Sequence, residues 1–379
     1  KAGFRAPGNR TPLKIFCFMK IIALIAGGRA GTDLFQSLLD QHPEISQFPG
    51  AFYFDEFIKK IKDEKNLAVI AKSLVKNYKH FFDSKDNFWE RHNMLGKNKN
   101  EFYLVDENFF INNFIDLMKN KNLNEKNILI YLNLAYSKSS GESKKEKKIV
   151  IINLHHIERL KKFENIECEI IYTTRDPLAM YASAFKRKQN NESYKNLSPW
   201  AYYYNINRIF NGITNVIYYK KKTYVMQLEK LHLENELTMK NFCSIFNISY
   251  NKTMRQSTYH GKDWWGDEQS GKDLSGINPN FKNNIDMGLF FKKDIEHIEN
   301  YLKFFLIEYN YPFRSTKSNY FIYKFLPFKI ELILLKESIM SLNIKRVVLL
   351  FYFFFKRLIL IRKKINNKIN FPTSLGIKD

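Results

Sequence analysis

Cysteine is scarce in this chain. Cys17, Cys168 and Cys243 are scattered without paired spacing. That excludes a disulfide framework and a cysteine zinc site, and it points to a reducing compartment. Acidic residues are also short: 38 Asp and Glu stand against 61 Lys and Arg, a formal net charge of +23. Such an excess is a nucleic-acid or membrane signature in principle. The chain has no zinc finger, however, no basic-aromatic interleave of the ribonucleoprotein type and no basic helix ahead of a heptad zipper. Lys, Asn, Ile, Phe and Tyr are all abundant, so the excess reads as compositional bias, and no nucleic-acid partner is expected. There is no internal repeat. In the basic tail the longest uncharged run, Val347 to Phe355, has nine residues, against about twenty for a membrane-spanning helix.

What is present is enough apolar material for a sizeable core: 45% of 379 residues, the size of one large α/β domain, alone or with an appendage. Ile21 to Ala26 is a continuous apolar run ending in Gly27-Gly28, which is how a parallel strand buried on both faces reads. Lys20 interrupts the apolar stretch from Ile15, and a glycine loop comes after Ala26, so this is read as a strand and not as a secretory signal. Thr32 to Gln41 pairs Leu34 with Leu38 and Phe35 with Leu39, an amphipathic helix ended by His42-Pro43. Residues 51–136 are aromatic and read as helical without a motif. Ser137 to Lys148 reads as a polar loop. Ile149–Ile152, Glu169–Thr174 and Tyr224–Leu228 read as further strands, with helices after Pro177 and over Leu237–Phe246. Strands alternating with helices predict an α/β fold: a three-layer, P-loop-like domain with a central parallel sheet flanked by helices. The expected limits are 19–315 for that domain, 1–18 for an extension outside it and 316–379 for a basic, aromatic, helical C-terminal extension.

Two segments carry chemistry. Gly27-Gly28-Arg29-Ala30-Gly31-Thr32 lies between strand and helix, where glycines let backbone amides approach an anion and Arg29 and Thr32 add a guanidinium and a hydroxyl. A P-loop nucleotide kinase would need GxxxxGK[ST]; the Gly-Lys pair is missing. The second segment is Tyr172-Thr173-Thr174-Arg175-Asp176-Pro177, with Ser183 eight residues after Arg175. A strand-end Arg and a hydroxyl two turns into a helix can clamp a second phosphate. The plainer alternative is that Arg175 and Asp176 cap the helix and form a surface pair.

Together these segments resemble the PAPS-dependent sulfotransferase family. GGRAGTDLFQSLLDQHPEI looks like the family's 5′-phosphosulfate loop and IIYTTRDPLAMYASAFKRK like its 3′-phosphate segment. YVMQLEKL and then NFCSIFNI are similar to a later strand and helix, and the resemblance spans about Met19 to Asn280. It implies PAPS (3′-phosphoadenosine 5′-phosphosulfate) as donor co-substrate without a metal. Gly28, Arg29, Ala30, Gly31 and Thr32 would lie on its 5′ end, and Arg175 and Ser183 on its 3′-phosphate. Asp33 departs from the family's second hydroxyl, and it is expected to cap or solvate the helix.

Sulfuryl transfer to a hydroxyl needs a base. His155 and His156 end a strand, where the resemblance implies a catalytic His; the plainer reading is one packing and one capping histidine. Glu56, beside Asp55 in FYFDEF, is the acidic rival, with a solvated acidic pair as its plainer reading. Trp264 and Trp265 lie in a glycine-rich loop with Lys262 and Lys272 nearby, suited to stacking on a sugar or base or to anchoring the loop on the core. Residues 317–379 hold 13 Lys and Arg against 3 Asp and Glu, a net of +10. The aromatic-basic pattern there fits an interfacial amphipathic helix or helices packed on the domain. The expected activity is therefore sulfation of a carbohydrate or lipid-linked acceptor, in the cytoplasm or at the inner face of a membrane. The other readings are a P-loop kinase and a non-catalytic binding protein of the same fold.

Overall fold

The computed structural model describes residues 19–142, 145–163, 165–190, 197–218, 221–268, 276–314, 325–360 and 371–376. The first 18 residues, Cys17 among them, and Lys272 lie outside that set. In chain order the elements are β1 (Lys20–Ala26), α1 (Thr32–Leu38), β2 (Ile45–Ala51), α2 (Phe54–Lys60), α3 (Leu67–Asn77), α4 (Glu107–Met118) and α5 (Glu125–Ser139). Then come β3 (Ile149–His155), a 3-10 helix (Ile157–Phe163), β4 (Glu169–Thr174), α6 (Pro177–Asn190), α7 (Pro199–Tyr218), β5 (Thr223–Gln227), α8 (Leu228–Leu233) and α9 (Asn235–Phe246). A short hairpin, β6 (Thr258–Tyr259) and β7 (Lys262–Asp263), precedes α10 (Lys292–Tyr301), α11 (Lys303–Glu308), α12 (Lys329–Met340), α13 (Ile344–Leu360) and β8 (Thr373–Ser374).

Six strands form one sheet in the order β2-β3-β1-β4-β5-β8, all parallel, with helices on both faces. This is the α/β architecture expected from the sequence. After its exposed Lys20, β1 is buried along its whole length, because a parallel strand is covered above and below. Each such aliphatic side chain contributes about 1.5–3 kcal/mol. From β1 the chain runs to β2 and β3 on one side, then crosses to β4 and β5 on the other. The carboxyl end of β1 is therefore a topological switch point, where open α/β sheets bind ligands.

Several boundaries differ from the sequence reading. α1 stops at Leu38 instead of Gln41, because Leu39 to Gln41 turn away and Gln41 takes a left-handed φ of 56°. β3 continues past Ile152 to His155. α5 runs into the expected polar loop as far as Ser139. Leu228 begins α8 instead of ending a strand. Strand β2 has no strand signature because ISQFPGA mixes polar residues, Pro and Gly, and β8 has none because it is two residues long.

The C-terminal helices pack on the domain. Phe353 of α13 stacks on Tyr203 of α7 at 5.1 Å, and Arg346 donates to the Leu197 carbonyl at 3.0 Å. β8 then returns to pair with β5. Among the described residues, no helix is long and apolar enough to cross a membrane. Arg357, late in α13, is fully buried. It donates to both carboxylate oxygens of Glu331, early in α12, at 2.8 and 3.0 Å, so the two helices run antiparallel. Its guanidinium also lies 4.2 Å from the Phe328 ring centroid. Removing one partner strands the other charge in the core. We expect Arg357→Ala to lower stability by about 3–5 kcal/mol in denaturant titration, and Arg357→Met paired with Glu331→Leu to recover most of that loss.

Candidate functional site

Parallel pairing sets Ala26 of β1 beside Thr173 of β4, so the segments leaving both strands open at the same edge of the sheet. The Gly27 amide donates to the Thr173 carbonyl at 2.9 Å, and the Thr32 and Thr173 hydroxyls lie 2.5 Å apart. Between them Gly28, Arg29 and Gly31 take left-handed φ values of 84°, 54° and 74°, curling the loop so that its amides turn inward. Gly31 cannot be replaced cheaply: its φ is left-handed, and a Cβ there would overlap Leu228 Cδ1. Ala30 and Thr32 are buried.

The second segment lies beside this loop. Arg29 Nε donates to Ser183 Oγ at 3.3 Å, across 154 positions of sequence. Arg175 is half-buried and donates from Nε to Asn283 Oδ1 at 2.7 Å; its guanidinium lies 5.4 Å from the Phe281 ring centroid. Asn283 in turn donates to Glu229 at 2.6 Å. Burial, and beyond it the nearby charge of Arg29, hold Arg175 below its ordinary pKa while Glu229 and Asp176 oppose that shift. Asp176 is buried and caps α6 by accepting from the Leu178 amide at 2.9 Å. The Arg175–Asp176 surface pair does not form: Asp176 pairs with Arg314 at 2.5 Å.

A third cation was not legible in the sequence. Arg208, on α7, packs over the loop, with Nε 3.7 Å from where a Cβ on Gly28 would stand. That nitrogen is buried without a hydrogen-bond partner. Its only sequence signal was a basic residue in a long amphipathic helix.

The two histidines lie within the field of Arg208. His155 adopts a left-handed φ of 63°, and its buried Nδ1 has no hydrogen-bond partner. His156 stacks on Tyr53 and approaches the Tyr204 hydroxyl at 3.2 Å. Burial, then Arg208, push His155 well below the usual imidazole range and His156 down to about 4. Both rings are neutral near pH 7 and weakly basic.

The carboxylates are arranged differently from the expectation. Glu56 is exposed and pairs with Arg159 at 2.7 Å. Asp55 is buried and binds Arg159 at 2.6 Å and Lys162 at 2.7 Å. The pair is thus an anchor for the 3-10 helix after His156, not a solvated patch. Asp33 does not cap α1, whose N-cap is Gly31 without a side-chain bond; it accepts from Asn153 Nδ2 at 3.4 Å. Burial, then the charge of Asp267, push its carboxyl up to about 6, against Arg29, which lowers it. Asp267 itself lies 3.6 Å from Arg29 Nη1.

A carboxylate without a sequence motif, Glu90, also lies at this end of the sheet. Its carboxylate fills the space over Gly50 at the carboxyl end of β2: a Cβ on Gly50, whose φ is 94°, would lie 2.6 and 2.8 Å from the two oxygens. Asn87 donates to Oε2 at 2.9 Å. Burial, opposed by the Asn87 hydrogen bond and reinforced by the charges of Asp33 and Asp267, pushes Glu90 up to about 7. Trp264 holds this segment, its indole donating to the Glu90 carbonyl at 2.7 Å. Trp265 donates to the Gly96 carbonyl at 2.7 Å, and Lys262 pairs with Glu101. The Trp loop therefore lies on the domain as an anchor. Among the described residues, no group of three or more His, Cys, Asp or Glu side chains could hold a metal ion.

No family model matches the chain, and no curated protein matches it. Among solved structures the chain is similar to a sulfotransferase domain from the curacin biosynthetic pathway, at 12% identity over 78% of this chain and 99% of that one, with a TM-score of 0.39. It is also similar to the sulfotransferase STF9 from Mycobacterium avium, at 10% identity over 79% of each chain, with a TM-score of 0.33. At this identity and superposition the likeness assigns no residue a role.

Burial keeps the Glu90 proton bound longer in the folded protein than in the unfolded chain, whose ordinary value is 4.5. Its contribution to stability is complete below that value and is lost as pH rises through about 7. We expect Glu90→Gln to be more stable than the native protein above pH 7, by about 1–3 kcal/mol, and to converge with it at acid pH. Thermal midpoints measured across pH check this.

Proposed function

We propose that this protein transfers the sulfuryl group of PAPS to an acceptor hydroxyl, or an amine, carried on a carbohydrate or lipid-linked carbohydrate. The observation that carries the reading is the Arg29–Ser183 contact at 3.3 Å, which joins the glycine loop to the helix after Arg175. Two cations, Arg29 and Arg175, stand at the same edge of the sheet, and the charge of Arg29 adds to the burial that disfavours the charge of Arg175. An anion with two separate negative ends relieves that repulsion, and PAPS carries a 5′-phosphosulfate and a 3′-phosphate.

The residues suit this donor. Gly28, Arg29, Ala30, Gly31 and Thr32 offer amides, a guanidinium and a hydroxyl to the 5′ end, with Asp33 at the loop's edge. Arg175 and Ser183 serve the 3′-phosphate. Arg208 brings a further donor nitrogen over Gly28. Bound PAPS supplies the sulfuryl group, and the leaving group is adenosine 3′,5′-bisphosphate (PAP). Arg29 and Arg208 offset charge that develops on the bridging oxygen. Glu90 takes the acceptor's proton, because a base acts best with a pKa near the working pH; His155 and His156, held far lower, are weaker bases. An exposed Trp200 stacks on Tyr204 at 5.1 Å, and an indole beside the crevice suits the apolar face of a sugar.

Calorimetric titration tests the donor. We expect micromolar PAP binding, much weaker ADP binding and loss of PAP binding in Arg175→Ala. Equal affinity for PAP and ADP would sink the donor assignment. PAP release from PAPS with a panel of oligosaccharides tests the base. Glu90→Gln should keep PAP affinity and lose about 10²–10⁴-fold in kcat. In the native enzyme kcat should rise as pH passes about 7, because the base must be ionised. If His155→Asn abolishes turnover while Glu90→Gln does not, the base is misassigned.

A further inference from the structure

Helix α13 turns the wrong kind of face to solvent. Its inner side buries Leu350, Phe353, Arg357 and Leu360. Its outer side, at helical spacing, carries Ile344, Val348, Phe351, Tyr352, Phe355 and Ile359, each more than half exposed. The helix turn beyond α12 continues this surface, with Met340 74%, Leu342 86% and Ile344 77% exposed. A helix packed on a soluble domain normally shows polar residues on its outer side, and contiguous apolar patches of this kind mark binding surfaces.

The charges around this face have one sign. Both carboxylates of α12 are engaged with arginines of α13, which itself carries no acid: Glu331 with Arg357, and Glu337 with Arg346 at 4.0 Å. The exposed charges are Lys336, set among Leu332, Ile339 and Met340, and Lys345 and Lys356 along the border of the α13 stripe. The sequence continues with Arg362-Lys363-Lys364. A second copy placed on this face by a two-fold axis would bring the same lysines together, because such an interface pairs a patch with itself. A lipid surface with anionic headgroups takes both features at once: apolar side chains enter the acyl boundary and lysines meet headgroups.

We propose that the outer face of the α12–α13 hairpin docks on an anionic lipid surface, lying in its plane without crossing it. The hairpin rests on α7, the helix that carries Tyr204 and Arg208 at the crevice, so docking would hold that crevice near the bilayer. The proposal stands independently of the reaction assigned to the crevice.

Vesicle flotation of the full chain tests it, with phosphatidylcholine alone and with phosphatidylcholine mixed with phosphatidylglycerol. We expect flotation with the anionic vesicles only, weakened by salt. Phe355→Glu and Val348→Glu, both on the exposed stripe, should lower vesicle affinity about tenfold or more, with denaturation midpoints and PAP binding unchanged. A triple Lys336, Lys345 and Lys356 to Ser variant should lose the preference for anionic lipid. Native protein that ignores anionic vesicles, or a Phe355→Glu variant that floats as the native does, overturns the proposal. So does a dimer, seen by light scattering, that Phe355→Glu dissociates without any vesicle binding.

Discussion

The parallel pairing of β1 with β4 is the constraint on which the site depends. Parallel neighbours end at the same edge, so the loop after Ala26 and the segment after Thr174 must lie side by side there. The Gly27 amide is tied to Thr173, and Thr32 meets Thr173 through its hydroxyl. These bonds make the glycine loop part of the sheet's edge instead of a free connection. An antiparallel neighbour would place the two segments at opposite ends of the sheet and separate Arg29 from Ser183. The apolar packing of β1 secures the pairing, and the chemistry of the edge depends on it.

The crevice is also a balance of charges. Arg29, Arg175 and Arg208 supply the positive groups, and Asp33, Asp267 and Glu90 the acidic ones. Arg29 stands nearest the middle, in contact with Ser183 and within 3.6 Å of Asp267. Carboxylates close to an anion site would weaken it if all were ionised. Burial and mutual repulsion hold Asp33 and Glu90 partly protonated near neutral pH, which lessens that conflict and leaves Glu90 poised to exchange a proton. The histidines, by burial and then by the charge of Arg208, are driven the other way.

The C-terminal helices obey a different logic. Their inner sides are joined by a buried Arg357–Glu331 pair and by Phe353 on Tyr203, so they belong to the body of the molecule. Their outer side is apolar with lysine at its edges. Excess positive charge that composition alone could explain is thus distributed in a pattern that composition does not reveal: the acids turn inward and the lysines remain outside.

Some of this was legible in the amino-acid sequence. The runs that became β1, β3 and β4 read correctly because a strand buried on both faces has to be continuously apolar. The glycine loop and the Arg175–Ser183 spacing were visible because backbone turns and strand-end cations leave local marks. The sequence by itself therefore determined the α/β class, the parallel sheet and the two segments at its edge. Other features had no local mark. β2 was hidden by its polar residues, Pro49 and Gly50. Asp33 looked like a cap and is a half-buried carboxylate beside Asn153. Glu56 looked like a rival base and is a strut for Arg159. Glu90 sits in an aromatic stretch without a motif, and only the fold brings its carboxylate over Gly50, where burial and neighbouring acids change its affinity for a proton. Tertiary structure alone decided which carboxylate stands over Gly50 within reach of the charges of Asp33 and Asp267, because a pKa and a contact across the chain depend on the surroundings that packing creates and not on the residues next door.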